Sequence, residues 1–195
     1  QLNPDRIDEI ELTTKHDIIA FLTHVEELAG PNARWLHLGM TSSDVLDTSF
    51  ALLLWRAATG IETRLKKALA AFEKRIREHR HTKMIGRSHG IYAEPITFGV
   101  VLAGHYAELK RGLVRLKTAI DEVRSGKISG AVGTYGHLPL EVEKEALAHL
   151  GLKPETIATQ VVPRDRHAAF ASALSLIAAA VERFATNVRH WQRTD

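Results

Sequence analysis

The sequence contains no cysteine. This excludes disulfides, thiolate metal sites and thiol nucleophiles, and it is typical of proteins of a reducing cytoplasm. Aromatic residues make up only 6% of the 195 residues, and no basic run is interleaved with them as in many nucleic-acid-binding proteins. Uncharged apolar runs are shorter than a membrane span, and the first thirty residues do not resemble a signal peptide. We therefore expect a cytoplasmic protein whose partners are neither nucleic acid nor membrane.

The excess of positive charge is small, +3 despite a pI near 9.3. Lysine and arginine alternate with acidic residues along helical faces, as in KKALAAFEKRIREHR, which indicates a solvated surface. Eleven histidines are many for this length, but no HExxH pair occurs. We therefore predict no metal site.

Apolar residues recur every three or four positions over three long stretches. This spacing predicts helices over about 43–80, from after Pro95 to about 123, and from about 165 onward, with Ser42 and Ser43 as candidate N-caps of the first. Shorter helices are expected over 4–12, 16–29 and 140–150. No segment alternates with period two, so no sheet is predicted. The expected fold class is all-α, a long-helix bundle.

The segment 86–99, GRSHGIYAEPITFG, interrupts two of the long helical patterns. A connector needs only turn residues, yet here Ser88 and His89 stand between two glycines, where the backbone can aim an imidazole. Two other loops are unusual. The segment 125–136, SGKISGAVGTYG, is glycine-rich without the spacing of a phosphate-binding P-loop, and the segment 159–167, TQVVPRDRH, carries Gln160 at the entry of the third long helix.

Four polar clusters and two loop motifs carry a family resemblance: TKHD (14–17), HLGMTSSD (37–44), GRSHG (86–90), TQ (159–160), SGAVGTYG and PRDRHA. Together they resemble adenylosuccinate lyases of the fumarase/aspartase superfamily over nearly the whole chain. Lactonising cycloisomerases share similar pieces and are the nearest confusable relatives. The resemblance implies β-elimination of fumarate from adenylosuccinate, giving AMP, and from the succinylated aminoimidazole carboxamide ribotide of purine biosynthesis, with no cofactor.

Roles for individual residues follow from the same resemblance. His89 matches the general acid, and His16 matches a second catalytic histidine near the substrate phosphate. The expected substrate-binding positions are Lys15, His16, Asp17, Thr41, Ser42, Gln160, Ser88 and His37, of which Ser88 and His37 are the weaker candidates. Simpler readings stay open, because a histidine, aspartate, threonine or serine at a helix start can be an N-cap or a partner of the helix dipole.

The resemblance also implies an organisation larger than this chain. Residues 1–40 would close an N-terminal helical domain, and 41–195 would form a truncated central bundle. The general base would be a serine on a loop beyond Asp195, so this segment alone should be inactive. The apolar area on helices of this length exceeds what one chain can cover, so we expect a homotetramer. The resemblance implies active sites that combine segments from three subunits. Two alternatives remain, namely another lyase or cycloisomerase of the superfamily, or a non-catalytic helical scaffold.

Overall fold

A computed structural model describes residues 1–194. These residues form α1 (Pro4–Thr14), α2 (Asp17–Ala29), a 3₁₀-helix (Gly30–Trp35), α3 (Ser42–Glu78), α4 (Phe98–Val123), α5 (Leu140–Leu150) and α6 (Asp165–Trp191). Four short strands accompany them: β1 (Lys83–Ser88), β2 (Ile91–Thr97), β3 (Ser125–Gly126) and β4 (Lys153–Pro154). The predicted all-α class with three long helices is confirmed.

The chain divides into two compact units. Unit one comprises residues 1–52 and 125–163, and unit two comprises 53–124 and the chain from residue 164. These units follow contacts within this chain. The domain boundary after residue 40 concerns the longer protein and stays a prediction.

The prediction for α5 agrees with the structure at both ends, because Pro139 precedes the helix and Gly151 ends it in a left-handed conformation, with φ of 71°. The expected N-caps of α3 are wrong. Ser42 and Ser43 lie inside the first turn, and Thr41 precedes it. The reason is a reciprocal contact in which Thr41 N–H donates to Asp44 Oδ2 (2.9 Å) and Asp44 N–H donates to Thr41 O (3.0 Å).

The expectation of no sheet is also wrong. Strands β1 and β2 form an antiparallel hairpin within the segment read as a loop, and β3 pairs in parallel with β4 over two residues each. The first five residues of β2 are all exposed, so the hairpin has no buried face to impose an alternating pattern on the sequence. Helix α4 accordingly begins at Phe98, with Thr97 as its N-cap.

The core of unit two is built by α3, α4 and α6. Its buried side chains are Ala58, Leu65, Leu69, Leu109, Leu116, Ala119, Ile120, Val123, Phe170, Ala173 and Ala180. At one end of this core, the rings of Phe72, Phe98, His105, Phe184 and Trp191 contact one another edge to face. Glycine permits a close crossing there, because a Cβ at Gly99 would lie 2.8 Å from the carbonyl oxygen of Ile76.

Helix α6 is more apolar than its burial requires. Over its most apolar eighteen residues, only 22% of the helix is buried within the chain. By length and composition it could cross a membrane, although its longest uncharged stretch runs only from Ala168 to Val181. Leu176 and Val181 are both 52% exposed. This helix therefore presents an apolar surface that its own chain does not cover.

The crossing at Gly99 gives the first prediction. Gly99→Ala should lower the free energy of unfolding by about 1–3 kcal/mol, because the new methyl group meets backbone atoms of Ile76 and Arg80 that cannot move aside independently. The matched control is Gly104→Ala in the same helix, where a Cβ meets nothing within 4 Å. That variant should be neutral or more stable by up to about 1 kcal/mol. Thermal unfolding of the full-length protein at fixed concentration measures both, and equal effects would contradict the prediction.

The second prediction concerns pH. His105 is buried, and its Nε2 lies 3.1 Å from Nδ2 of Asn187. Burial, and secondarily the charge of Arg183, lowers the pKa of His105 below its usual 6.5. The unfolded chain therefore binds a proton below pH 6.5 that the folded chain resists, so stability is lost as the pH falls through that value.

His105→Gln should flatten the fall in stability between pH 7 and 5, while His149→Gln on the exposed surface of α5 should leave it unchanged. Denaturant unfolding at a series of pH values tests this. A variant slope identical to that of the wild type would rule out His105 as a source of the acid sensitivity.

Candidate active site

His16 lies at the corner between α1 and α2. Lys15 ends α1 in a left-handed conformation (φ 53°), and His16 is the N-cap of α2. His16 Nδ1 accepts from the N–H of Ile19 at 3.5 Å, and Nε2 lies 3.3 Å from Oγ of Ser42. A neutral imidazole with its proton on Nε2 satisfies both contacts.

Asp17 contacts the same imidazole. Its Oδ1 lies 3.2 Å from His16 Nδ1 and accepts from the N–H of Ile18 at 2.7 Å. The His16 side chain is 45% exposed, so a ligand can reach it. His16 is thus an N-cap of α2, and Asp17 lies in the first turn of that helix, where a negative charge suits the helix dipole.

The start of α3 brings three more of the expected residues together with His16. Thr41 and Ser42 are adjacent there, and Nε2 of Gln160 donates to Oγ1 of Thr41 at 3.4 Å across 119 residues of sequence. Because Thr41 Oγ1 accepts from Gln160, its own hydrogen is free to point elsewhere. The first N–H groups of a helix also lack partners within the helix. This group of hydroxyl, amide and backbone donors suits a carboxylate.

His37 follows the 3₁₀-helix of unit one. It borders a cavity of about 310 Å³ lined by α2 residues such as Ile19 and Leu22 and by the turn that follows the 3₁₀-helix. Its Nε2 is buried and has no hydrogen-bond partner among residues 1–194.

Ser88 and His89 lie on the β1–β2 hairpin of unit two. His89 and Gly90 form its two-residue turn, with φ of 55° and 80°, and Ser88 pairs with Ile91. Two positive φ angles in succession are typical of a type I′ turn, and histidine is among the residues that tolerate one of them. The exposed His89 is thus aimed by the turn rather than by packing.

The hairpin also borders a cavity of about 440 Å³ in unit two. Its polar lining includes the cationic Arg87 and Arg193 together with Asn187 and His190. The guanidinium of Arg87 lies 5.1 Å from the ring centre of Tyr92 on the neighbouring strand.

The sequence interpretation missed a buried polar network beneath the start of α3. Lys127 and Asp44 form an ion pair with both side chains fully buried. Thr48 Oγ1 donates to the carbonyl of Lys127 (2.8 Å) and accepts from its N–H (3.0 Å), and Asp47 accepts from the N–H of Val162 (2.8 Å). The only sequence signal was a lysine inside a glycine-rich segment, together with three polar residues on one face of α3.

A second buried carboxylate supports the same loop. Glu143 accepts from the N–H of Ile128 at 2.6 Å and from the hydroxyl of Tyr135 at 2.7 Å. Burial, and then the hydrogen bond to Glu143, raises the pKa of Tyr135 to about 12, so this hydroxyl stays a donor at neutral pH. Within residues 1–194, no group of three or more histidine or acidic residues could hold a metal ion.

Comparison with known proteins gives consistent matches. The chain is 50% identical to the adenylosuccinate lyase of Synechocystis sp. and 46% identical to that of Thermotoga maritima, in each case over the whole chain and 45% of the relative. It therefore spans about 45% of the length of these relatives.

Solved structures match as well. The crystal structure of fumarate lyase from Mesorhizobium sp. BNC1 superposes with a TM-score of 0.91 at 27% identity, over 100% of this chain and 46% of that one. The 3-carboxy-cis,cis-muconate lactonizing enzyme from Pseudomonas putida gives a TM-score of 0.84 at 28% identity, over 96% and 44%. A family model described as lyase matches residues 3–195, and the chain therefore belongs to this lyase family.

Proposed function

We propose that the protein containing this chain is an adenylosuccinate lyase, releasing fumarate from adenylosuccinate to give AMP and from the succinylated aminoimidazole carboxamide ribotide in the same way. The observation that carries the proposal is the 50% identity to an adenylosuccinate lyase over all 195 residues. The donor group of unit one supports it, because such a substrate presents carboxylates.

The reaction needs a base and an acid. A base takes the proton from the carbon beside a carboxylate, the C–H electrons form the new double bond, and the C–N bond breaks with its electrons on nitrogen. An acid then protonates that nitrogen. Histidine suits the acid because its ordinary pKa lies near neutrality. We assign the role of the acid to His89 and the role of the base to a serine outside residues 1–195. Residues 1–195 by themselves should then be inactive.

The start of α3 would hold a substrate carboxylate. Thr41 and Ser42 offer their hydroxyl groups, Ser42 adds a backbone N–H of the first turn, and Gln160 offers an amide hydrogen beyond the one it donates to Thr41. His16 would contact the substrate phosphate, with Lys15 and Asp17 beside it setting the local charge. Ser88 and His37 stay weaker binding candidates.

A lactonising activity is the second candidate, and the structural match to the muconate enzyme favours it. Its 28% identity is well below the 50% to an adenylosuccinate lyase, so we rank it second. Incubating the full-length protein with adenylosuccinate and following fumarate release separates the two, because a cycloisomerase would leave that substrate intact.

We further propose a cytoplasmic homotetramer that shares active sites between subunits. The exposed apolar surface of α6 supports this, since contiguous apolar patches on soluble proteins usually mark interfaces. If a second copy of the protein covers the apolar surface of α6, that surface is buried without a membrane. The absence of cysteine suits a reducing compartment.

The third prediction tests the acid. In the full-length enzyme, His89→Ala should lower kcat by about 10²–10⁴-fold, the usual contribution of one general acid, with a smaller change in KM. His149→Ala, at an exposed position of α5, is the matched control and should keep wild-type turnover. Gln160→Ala should lose both substrate affinity and rate. Near wild-type kcat in His89→Ala would mean that another group protonates the nitrogen.

The fourth prediction tests the assembly. Sedimentation of the full-length protein at micromolar concentration should give a tetramer. Leu176→Glu, which places a charge on the exposed apolar surface of α6, should shift the protein towards smaller species, since burying an unpaired charge in an interface is costly. A stable wild-type monomer would refute the proposed tetramer.

A further inference from the structure

The buried ion pair beneath the start of α3 is hydrogen-bonded to the backbone of the proposed carboxylate site. Lys127 and Asp44 are both completely shielded from solvent. Lys127 Nζ donates to Asp44 Oδ1 and to the carbonyl of Gly130, the latter at 3.1 Å. All of these residues belong to unit one.

Asp44 is bonded directly to the backbone of the proposed site. Besides Lys127, its carboxylate accepts three backbone N–H groups, from Thr41 (2.9 Å), Ser129 (3.2 Å) and Gly130 (3.1 Å). Oδ2, which accepts from Thr41, is thus one hydrogen bond away from the residue expected to bind a substrate carboxylate. An uncompensated negative charge at that distance would repel an anionic ligand.

The lysine is not needed to cap the helix. The carboxylate of Asp44 already satisfies backbone donors and suits the positive end of the helix dipole, where a cation is unfavourable. A buried ion pair as a whole can often be replaced by apolar residues without loss, whereas removing the lysine alone would leave the Asp44 carboxylate buried and unpaired. What the lysine supplies is charge, which cancels that of Asp44 in a region of low dielectric constant.

We infer that Lys127 is a positioning and charge-compensating residue of the carboxylate site at the start of α3. Its ammonium group binds both Asp44 and the 127–130 loop, which holds them together. Its charge also neutralises the Asp44 carboxylate next to Thr41 and Ser42, so that a dicarboxylate can bind there. The clamp of Thr48 on the Lys127 backbone fixes where this charge lies. The inference rests on the proposed function, since it deepens the carboxylate site of that proposal.

The test measures the affinity of the full-length protein for succinate, a dicarboxylate that cannot react, by titration calorimetry. Lys127→Met should weaken succinate binding about tenfold or more and raise KM by a similar factor, with kcat changed less. Adding Asp44→Asn should restore succinate affinity to within about threefold of the wild type. In that double variant, the amide oxygen can keep the bonds from Thr41 and Gly130, the bond from Ser129 is lost because an amide nitrogen cannot accept it, and the buried negative charge is gone.

Succinate affinity is compared only among variants whose circular dichroism and unfolding midpoint show them to be fully folded at the titration temperature, because removing the unpaired Asp44 carboxylate also relieves a destabilised network. Lys144→Met, at an exposed position of α5, is the matched control and should bind succinate like the wild type. If Lys127→Met does not fold, Asp44→Asn alone is compared with the double variant. The two differ only at residue 127, and the variant that retains Lys127 should bind succinate more tightly.

Three results would overturn the inference. The first is wild-type succinate affinity in Lys127→Met. The second is a double variant that binds succinate no better than Lys127→Met, and the third is a double variant that binds it as tightly as Asp44→Asn alone. The proposed function is tested separately by fumarate release from adenylosuccinate with the wild type. If the wild type releases no fumarate, the proposed function is wrong. If the wild type releases fumarate but the variants at 127 and 44 bind succinate equally well, only the inference about Lys127 is wrong.

Discussion

The carboxylate of Asp44 is the interaction on which the arrangement of unit one depends. A buried carboxylate is tolerated only when donors surround it, and here they come from Thr41, from Lys127 and from the backbone of the 127–130 loop. Segments more than eighty residues apart in sequence must therefore meet at the first turn of α3. These contacts position the rest of the site, because Thr41 and Ser42 lie next to Asp44. The constraint is directional, so it fixes the loop more tightly than apolar contact would.

One turn later, side chains on the same face of α3 again bind the backbone of neighbouring loops. Asp47 accepts the N–H of Val162, and Thr48 clamps the backbone of Lys127 from both sides. Positions 44, 47 and 48 share one helix face because of the i, i+3, i+4 spacing. Anchoring Val162 brings Gln160, two residues earlier, within reach of Thr41. A rigid helix thus positions two otherwise irregular loops, which is how loops acquire fixed donors.

The sequence predicted the helices well and the polar contacts poorly, for a physical reason. Helix periodicity and capping are local, so α5 could be predicted to the residue and the long helices nearly so. The β1–β2 hairpin left no alternating pattern because most of β2 faces solvent on both sides. The bond from Gln160 to Thr41 and the pairing of Lys127 with Asp44 have no local signature. Family resemblance pointed to His16, Thr41, Ser42 and Gln160, but Lys127 could be found only in three dimensions.

The two proposed catalytic histidines, His16 and His89, are held in different ways, but both rings are exposed to solvent. His16 is fixed as an N-cap and His89 by a tight turn, so the backbone sets both imidazoles while their rings stay open to solvent. Elimination benefits from a site that excludes water, since electrostatic interactions weaken when it enters. Neither unit supplies that shielding to its own histidine. In the proposed assembly, other copies would supply it. An enzyme whose histidines are shielded only by neighbouring copies would gain catalytic competence on association.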